Sequence, residues 1–446
     1  MVAASDYPFR ELVRNHCGVD LCFTQMIHSR NFCRDPKFRK SHLDLYEAGV
    51  TYEALLPSQV ACLGNLPVPS LSHEEVQGRS APLIVQLAGH DVDIVVQAAL
   101  MIMEHTHGQV LGFDLNCGCP QAIARKGRYG AFLMEENDKL VCQILSALRK
   151  ALPESTAVSA KIRLPLDDAT LLDRIPRLVE SGIHFLTIHG RTLEENKTKV
   201  GAIHTDRMRL AIESAHRVNP SFPVVANGGM ETYTDVQQIL QATGAVAAMS
   251  SEALLETPDI FCPDSLQLDP RQRMERQFFF ARQYLHYCAT LAPPVPGVLG
   301  TSKYQGGSFT VIRGHLFKFL HRYLQEHVDL RDKLAGERTA QTIPDAMALI
   351  DQLYERYVNL SDEQLQMLPS SSSEATWYRR HRKPGRTVHQ KEVRISSMVQ
   401  QPSTVPTFES VEERKRQIQQ RIQRLQQQNQ QRTESSAKRF AFLDKV

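Results

Sequence analysis

The residues best able to do chemistry stand together in one stretch, "DLNCGCPQAIARKGRYGAFL", Asp114 to Leu133. Cys117 and Cys119 are separated by one residue, a proline follows, and then come Arg125, Lys126, Gly127 and Arg128. A thiol in such a place can ligate a metal, close a disulfide, attack an electrophile, donate a proton or fill a core. The metal reading lacks a second ligand pair at the usual spacing. A disulfide across one intervening residue is awkward. An ordinary thiol, with a pKa of about 8.5, is mostly protonated at neutral pH and can act as an acid. Cys117 reads best as a small apolar filler. The three cations of the loop suit nucleic-acid phosphates, although a solvated surface would look the same.

These residues need a scaffold, and the chain supplies one by repetition. Short apolar runs recur at 20–26, 82–88, 110–116, 157–163, 184–190, 222–228 and 245–251. Helix-like segments at 91–106, 136–151, 168–181, 205–217 and 232–243 lie between them. Continuous apolar strands alternating with helices predict a parallel sheet covered on both faces. Seven strands, with "MVAAS" as the stub of one more, predict an α/β fold of the (β/α)8 TIM-barrel class. The alternative is a doubly wound open sheet, but no GxGxxG follows the first strand.

In a parallel barrel, functional groups gather at the C-terminal ends of the strands. Those ends carry Gln86, then Asn116, then Lys161 and Arg163, then His189 and Arg191. The last two carry Asn227 with Gly228 and Gly229, and Ser250 with Ser251. Polar residues at six successive ends of otherwise apolar runs imply one polar mouth. Glycines after the seventh strand and small residues after the eighth match a phosphate pocket, though Asn-Gly-Gly is also an ordinary turn. Lys161 could offset negative charge on a ring, form a Schiff base or pair with a carboxylate.

Beyond the barrel, expected over 1–258, a helical domain is expected over 260–358. Its helices are read at 268–290, 308–327 and 342–358. Arg313, His315, Lys318, His321 and Arg322 share faces with aromatic residues there. The aromatic stripes suit a core, and the basic members an RNA-facing side. Residues 364–446 read as a basic, low-complexity, disordered tail with a solvated helix over 410–432.

The formal net charge of +3 hides an asymmetry. Residues 371–446 hold 16 Lys and Arg against 7 Asp and Glu, leaving the rest of the chain mildly acidic. A basic tail on an acidic body points to a polyanionic partner. No apolar run is long enough to cross a membrane. The N-terminus does not read as a signal peptide, and nine scattered cysteines read as reduced thiols. An intracellular protein, cytoplasmic or nuclear, is therefore expected, without membrane or metal and as a monomer.

Taken together, "FDLNCGCPQAIARKGRYGAFL", "SAKIRL", "TIHGRT" and "PVVANGGM" resemble the tRNA-dihydrouridine synthase family. "DYPFREL", "LCFTQMI" and "RGHLFKFL" agree with it. The match covers roughly residues 1–350 and is similar to the subgroup acting on positions 16 and 17 of the tRNA D-loop. The resemblance implies a flavin barrel that uses FMN, reloaded by NADPH or NADH, to reduce uridine to 5,6-dihydrouridine. Hydride goes to C6, and a thiol protonates C5. By position in the motif that thiol is Cys119, directly before Pro120.

The resemblance further implies that Gln86 and Lys161 contact the flavin ring. His189, Asn227, Gly228, Gly229, Ser251 and Glu252 would hold its phosphate and ribityl chain. Asn116 would orient substrate or flavin. Arg125, Lys126, Arg128, Arg163 and Arg191 are expected to meet tRNA or flavin around an extruded base. Three departures stand out. The family's opening Ala-Pro-Met strand is replaced by "MVAASDYPF", "TLEENKTKVGAIHTD" departs from the usual pattern after Arg191, and residues 50–80 form a longer insertion. The shortened opening leaves open a tRNA-binding module with an idle barrel, and a third reading is a flavin reductase for a small pyrimidine.

Overall fold

The computed structural model describes residues 4–42, 83–106, 108–196, 199–291, 309–336 and 342–368. The chain divides into two units, Met1–Val388 and His389–Val446. The second unit, with the helix expected over 410–432, lies outside the described residues, as do the insertion at 50–80 and the first three residues of "MVAAS".

The first unit is built on eight parallel strands. They are β1 (Cys22–Phe23), β2 (Ile27–His28), β3 (Leu83–Ala88), β4 (Gly112–Cys117), β5 (Ala157–Arg163), β6 (Phe185–His189), β7 (Val224–Asn227) and β8 (Ala247–Met249). From β3 onward each strand pairs with the next in the sequence, with helices in the crossovers, as in a (β/α)8 TIM barrel. The run expected at 20–26 is split: β1 and β2 both pair with β3. Between them Thr24 and Gln25 are buried, and the Thr24 hydroxyl accepts from the Gln86 backbone N–H at 3.1 Å. Ser5 donates to the Phe23 carbonyl at 2.5 Å, so the opening residues run beside β1.

Every residue of β3 is buried, because helices cover one face and the barrel interior the other. The crossover helices Val92–His105, Asp138–Ala151, Asp168–Glu180, Thr205–Val218 and Tyr233–Thr243 match the predicted segments within a few residues. Their starts are set by caps: Asp91, Asn137 and Asp167 accept from backbone N–H groups, and Thr232 with Asp235 forms a capping box.

After the barrel, the helix Pro270–Leu291 packs against the N-terminal helix Tyr7–His16. The segment expected as one helix over 308–327 is two, Phe309–Phe319 and His321–Glu326, broken at Leu320. Here "DYPFREL" meets "RGHLFKFL". His315 Nε2 lies 3.0 Å from Asp6 Oδ1, and Tyr284 donates to Asp6 Oδ2 at 2.8 Å. Phe9 stacks on the His315 ring at 4.8 Å. His315 was expected on an RNA-facing side; it is 0% exposed. An imidazole amid aromatic rings can be core when a carboxylate meets it. Lys318 and Arg313 bond the carbonyls of Gly314 and Gly336.

Candidate active site

Strand register converts the polar residues of the sequence into rows. Arg163 pairs with His189, and His189 with Asn227. One row deeper, Asn116 pairs with Lys161, and Lys161 with Thr187. Deeper still, Gln86 pairs with Asp114, and Asp114 with Ser159. All these rows face the barrel interior. Phe185, the register partner of Ser159, meets Phe23 edge to face at 6.5 Å, although β1 and β6 are not neighbours in the sheet. The alternate residues, including Phe113, Leu115, Cys117 and Ile162, turn outward into the core beneath the helices. Cys117 is 0% exposed, and burial pushes its thiol far up, the nearby Asp114 adding to the effect.

Cys119 follows β4 at the mouth and is half-buried. Asn116 Oδ1 accepts from the backbone N–H groups of Gly118 at 3.3 Å and Cys119 at 3.1 Å. The Cys119 carbonyl accepts from Ala131 N at 3.1 Å. Gly130, at φ +70°, makes this approach feasible: a Cβ there would stand 2.8 Å from the Cys119 carbonyl oxygen. The thiol residue lies against a small cluster of Ala88, Ala124 and Tyr129, flanked by Met26 and Phe132.

Cationic groups crowd the same mouth. Burial, with Arg163 next to it, pulls the half-buried Lys161 ammonium down to about 8. Burial and the surrounding Lys161, Arg163 and Arg191 hold His189 well below its ordinary value, so its imidazole is neutral. Burial and Arg191 bring the Arg163 guanidinium down to about 10. Both arginines also hold the rim together. Arg163 donates to the Gly118 carbonyl at 2.8 Å and the Thr192 carbonyl at 2.9 Å. Arg191, buried, donates to the Gly201 carbonyl at 2.8 Å and lies 3.3 Å from His189 Nε2.

At the end of β7, Asn227 donates to the Met249 carbonyl at 2.8 Å, tying the seventh strand to the eighth. Gly228 and Gly229 have φ of +98° and +78°. A Cβ on Gly228 would stand 2.7 Å from His189 Cδ2, and one on Gly229 would stand 3.1 Å from Ile203. The two glycines therefore let the backbone after β7 pack directly on His189 and Ile203. Ser251 precedes the short helix Glu252–Glu256, and the Glu252 side chain is exposed. Arg125, Lys126 and Arg128 are exposed on the helix Ala122–Lys126 and the turn after it, with Arg125 over the Phe132 ring at 5.2 Å. His90 Nδ1 lies 3.1 Å from the Gly127 carbonyl and holds that turn.

The geometry thus gathers Gln86, Asn116, Cys119, Lys161, Arg163, His189, Arg191 and Asn227 around one mouth. Arg125, Lys126 and Arg128 stand on the loop beside it. Sequence reasoning missed a deeper set: Asp114, Ser159, Thr187 and Thr24. Asp114 and Ser159 are 0% exposed. Asp114 accepts from Gln86 Nε2 at 2.8 Å and from Ser159 Oγ at 2.7 Å. Burial raises its carboxyl to about 6, against the pull of those two donors and of Lys161. The buried Thr187 hydroxyl has no protein partner among the described residues. The signal for Asp114 was visible: one acidic residue inside the apolar run "VLGFDLN".

Comparison with known proteins agrees with this architecture. The family model described as dihydrouridine synthase matches residues 1–292. A rat protein described as tRNA-dihydrouridine(16/17) synthase-like is 32% identical over 345 residues, 77% of this chain and 64% of its own length. The mouse counterpart is likewise 32% identical, and the chain spans 58% of it. A tRNA-dihydrouridine(16/17) synthase of Schizosaccharomyces pombe is 29% identical over 78% of this chain and 76% of its own. With the family match spanning most of the chain, this protein belongs to the dihydrouridine synthase family.

Proposed function

We propose that the chain reduces uridine to 5,6-dihydrouridine in the D-loop of tRNA, at position 16 or 17, with FMN as resident cofactor and NADPH or NADH as reductant. The observation that carries this reading is the placement of Cys119. A thiol stands at the C-terminal mouth of the barrel, its backbone fixed by Asn116, whose register partner is Lys161. The relatives' descriptions, which name NAD(P) and tRNA positions 16/17, support the substrate and the reductant.

The residues fit a flavin mononucleotide. The side-chain-free backbone of Gly228 and Gly229 beside His189, the cations Lys161 and Arg163, and the Thr187 hydroxyl, without a protein partner among the described residues, suit a polar, anionic group. Gln86, Lys161, His189, Asn227, Gly228 and Gly229 would hold it, with the backbone of Ser251 and Glu252. Bound reduced FMN supplies the hydride taken up at C6 of the pyrimidine. Cys119 Sγ gives a proton to C5, and the half-buried thiolate regains one from solvent. Lys161 offsets negative charge within the mouth.

The target base has to leave its stack to reach this depth. Arg125, Lys126 and Arg128 are exposed beside the thiol and would grip the flanking phosphates. The test is direct. The purified chain with FMN and NADPH is incubated with an unmodified tRNA transcript, and dihydrouridine is mapped by nucleoside mass spectrometry. No dihydrouridine from the wild-type chain, or an undiminished rate from Cys119→Ala, overturns the reading.

A further inference from the structure

The buried groups beneath Cys119 form a chain of hydrogen bonds with one direction. Ser159 Oγ donates to Asp114 Oδ1 at 2.7 Å, and Gln86 Nε2 donates to Asp114 Oδ2 at 2.8 Å. Asn116 Nδ2 donates to Gln86 Oε1 at 2.8 Å. Asn116 Oδ1 then accepts from Gly118 N and Cys119 N. Two ends fix this order. A backbone N–H can only donate, and an ionised carboxylate can only accept. The two side-chain amides between them could each point either way if left alone. Both ends demand the same sense: the Gln86 side-chain nitrogen faces Asp114, its oxygen faces Asn116, and the Asn116 oxygen faces the turn.

We infer that Asp114 is a positioning residue for the acid: its carboxylate anchors the far end of the Gln86–Asn116 relay and thereby holds the Asn116 amide oxygen on the backbone of Cys119. This inference rests on the functional reading above, in which Cys119 is the proton donor. Asp114 acts through Gln86 and Asn116 and is given no contact with substrate. Its surroundings argue against an ordinary stabilising role. It is fully buried with two neutral donors, and no cation lies within ion-pair distance of it among the described residues. An unpaired buried carboxylate opposes folding. A carboxylate kept in such a place is explained by the orientation it imposes.

The closing experiment compares wild type with Asp114→Asn. Asparagine keeps the size but offers one oxygen to the two donors that converge there, Ser159 Oγ and Gln86 Nε2, so the Gln86 end of the relay is held less firmly. Three readouts are taken: Tm, hydrogen exchange at the Gly118 and Cys119 amides, and the kcat and KM for tRNA. We expect Tm at or above wild type, and amide exchange faster by about tenfold, the equivalent of one weakened hydrogen bond. kcat falls by a similar factor, while KM for tRNA stays within about twofold. Unchanged exchange, or a fall in Tm accompanying the loss of activity, overturns the inference. Should Asp114→Asn fail to fold, Ser159→Ala removes one donor to the carboxylate: Tm should fall, exchange at the two amides should rise by a smaller factor, and unchanged exchange overturns the inference. The exchange readout needs neither flavin nor tRNA. If the wild-type chain makes no dihydrouridine, the functional reading fails alone and exchange still decides the relay.

Discussion

Two buried carboxylates, Asp6 and Asp114, stand in opposite electrostatic settings. Asp6 joins the N-terminal segment to the helices after the barrel, with His315 Nε2 at 3.0 Å and the Tyr284 hydroxyl at 2.8 Å. Burial alone would raise its carboxyl, but His315 and Tyr284 outweigh it and hold it below the ordinary carboxylate range. Asp114 lies under the barrel mouth with only neutral donors in contact, and burial wins, lifting it to about 6. The junction carboxylate is compensated and tightens the fold. The site carboxylate opposes folding and orients other groups. The same side chain, buried in both places, thus serves stability in one and orientation of other groups in the other, according to which groups face it.

Substitutions can break or sharpen this contrast, and the largest effect is expected at the site. Cys119→Ala should lower dihydrouridine formation on tRNA by about 10³-fold, the weight of a lost general acid, while leaving Tm within a degree or two of wild type. An activity loss matched by a fall in Tm would mean that the thiol is core after all. At the junction the order reverses. Asp6→Ala should destabilise the fold by about 3–5 kcal/mol in chemical denaturation, because it strands His315 in an apolar setting. Per folded molecule, activity should change little.

The pH dependence separates the two carboxylates by sign. The Asp114 carboxyl binds its proton more tightly in the folded state, so its ionised form weighs against folding above pH 6. That penalty is relieved as pH falls from about 6 towards the ordinary value of 3.8. Measured against Asp114→Asn, the wild-type chain should gain up to about 3 kcal/mol over that window. The contribution of Asp6 runs the other way. It is present above pH 3.8 and is lost as pH falls through its lowered folded value. Equal pH profiles for wild type and Asp114→Asn would erase the contrast. The smallest effect is expected away from both regions: Cys142→Ser, on the outer helix Asp138–Ala151, should shift stability by no more than about 0.5 kcal/mol.

Much of the fold was legible in the chain. The strands from Leu83 to Met249 appear as apolar runs because helices and barrel interior cover both their faces. The helix Asp168–Glu180 falls within the helix-like segment read at 168–181. The short second-strand region did not, since its break at Thr24–Met26 depends on a bond from Gln86, 62 residues away. His315 was misread because a helical stripe does not say which neighbour covers it. At the site, polar residues at strand ends marked the mouth, while the employment of Arg163 and Arg191 on rim carbonyls was invisible in their spacing.

The sequence by itself determined the periodicity, the polar strand ends, the family motifs and the candidate acid, all carried by residue type and local order. Only the tertiary structure decided which polar groups share a row, which carboxylate finds a charge, and in which sense the Gln86 and Asn116 amides point. Those outcomes arise where strands distant in the chain come into register and water is excluded. There, hydrogen bonds and charges are settled by neighbours that no local pattern names.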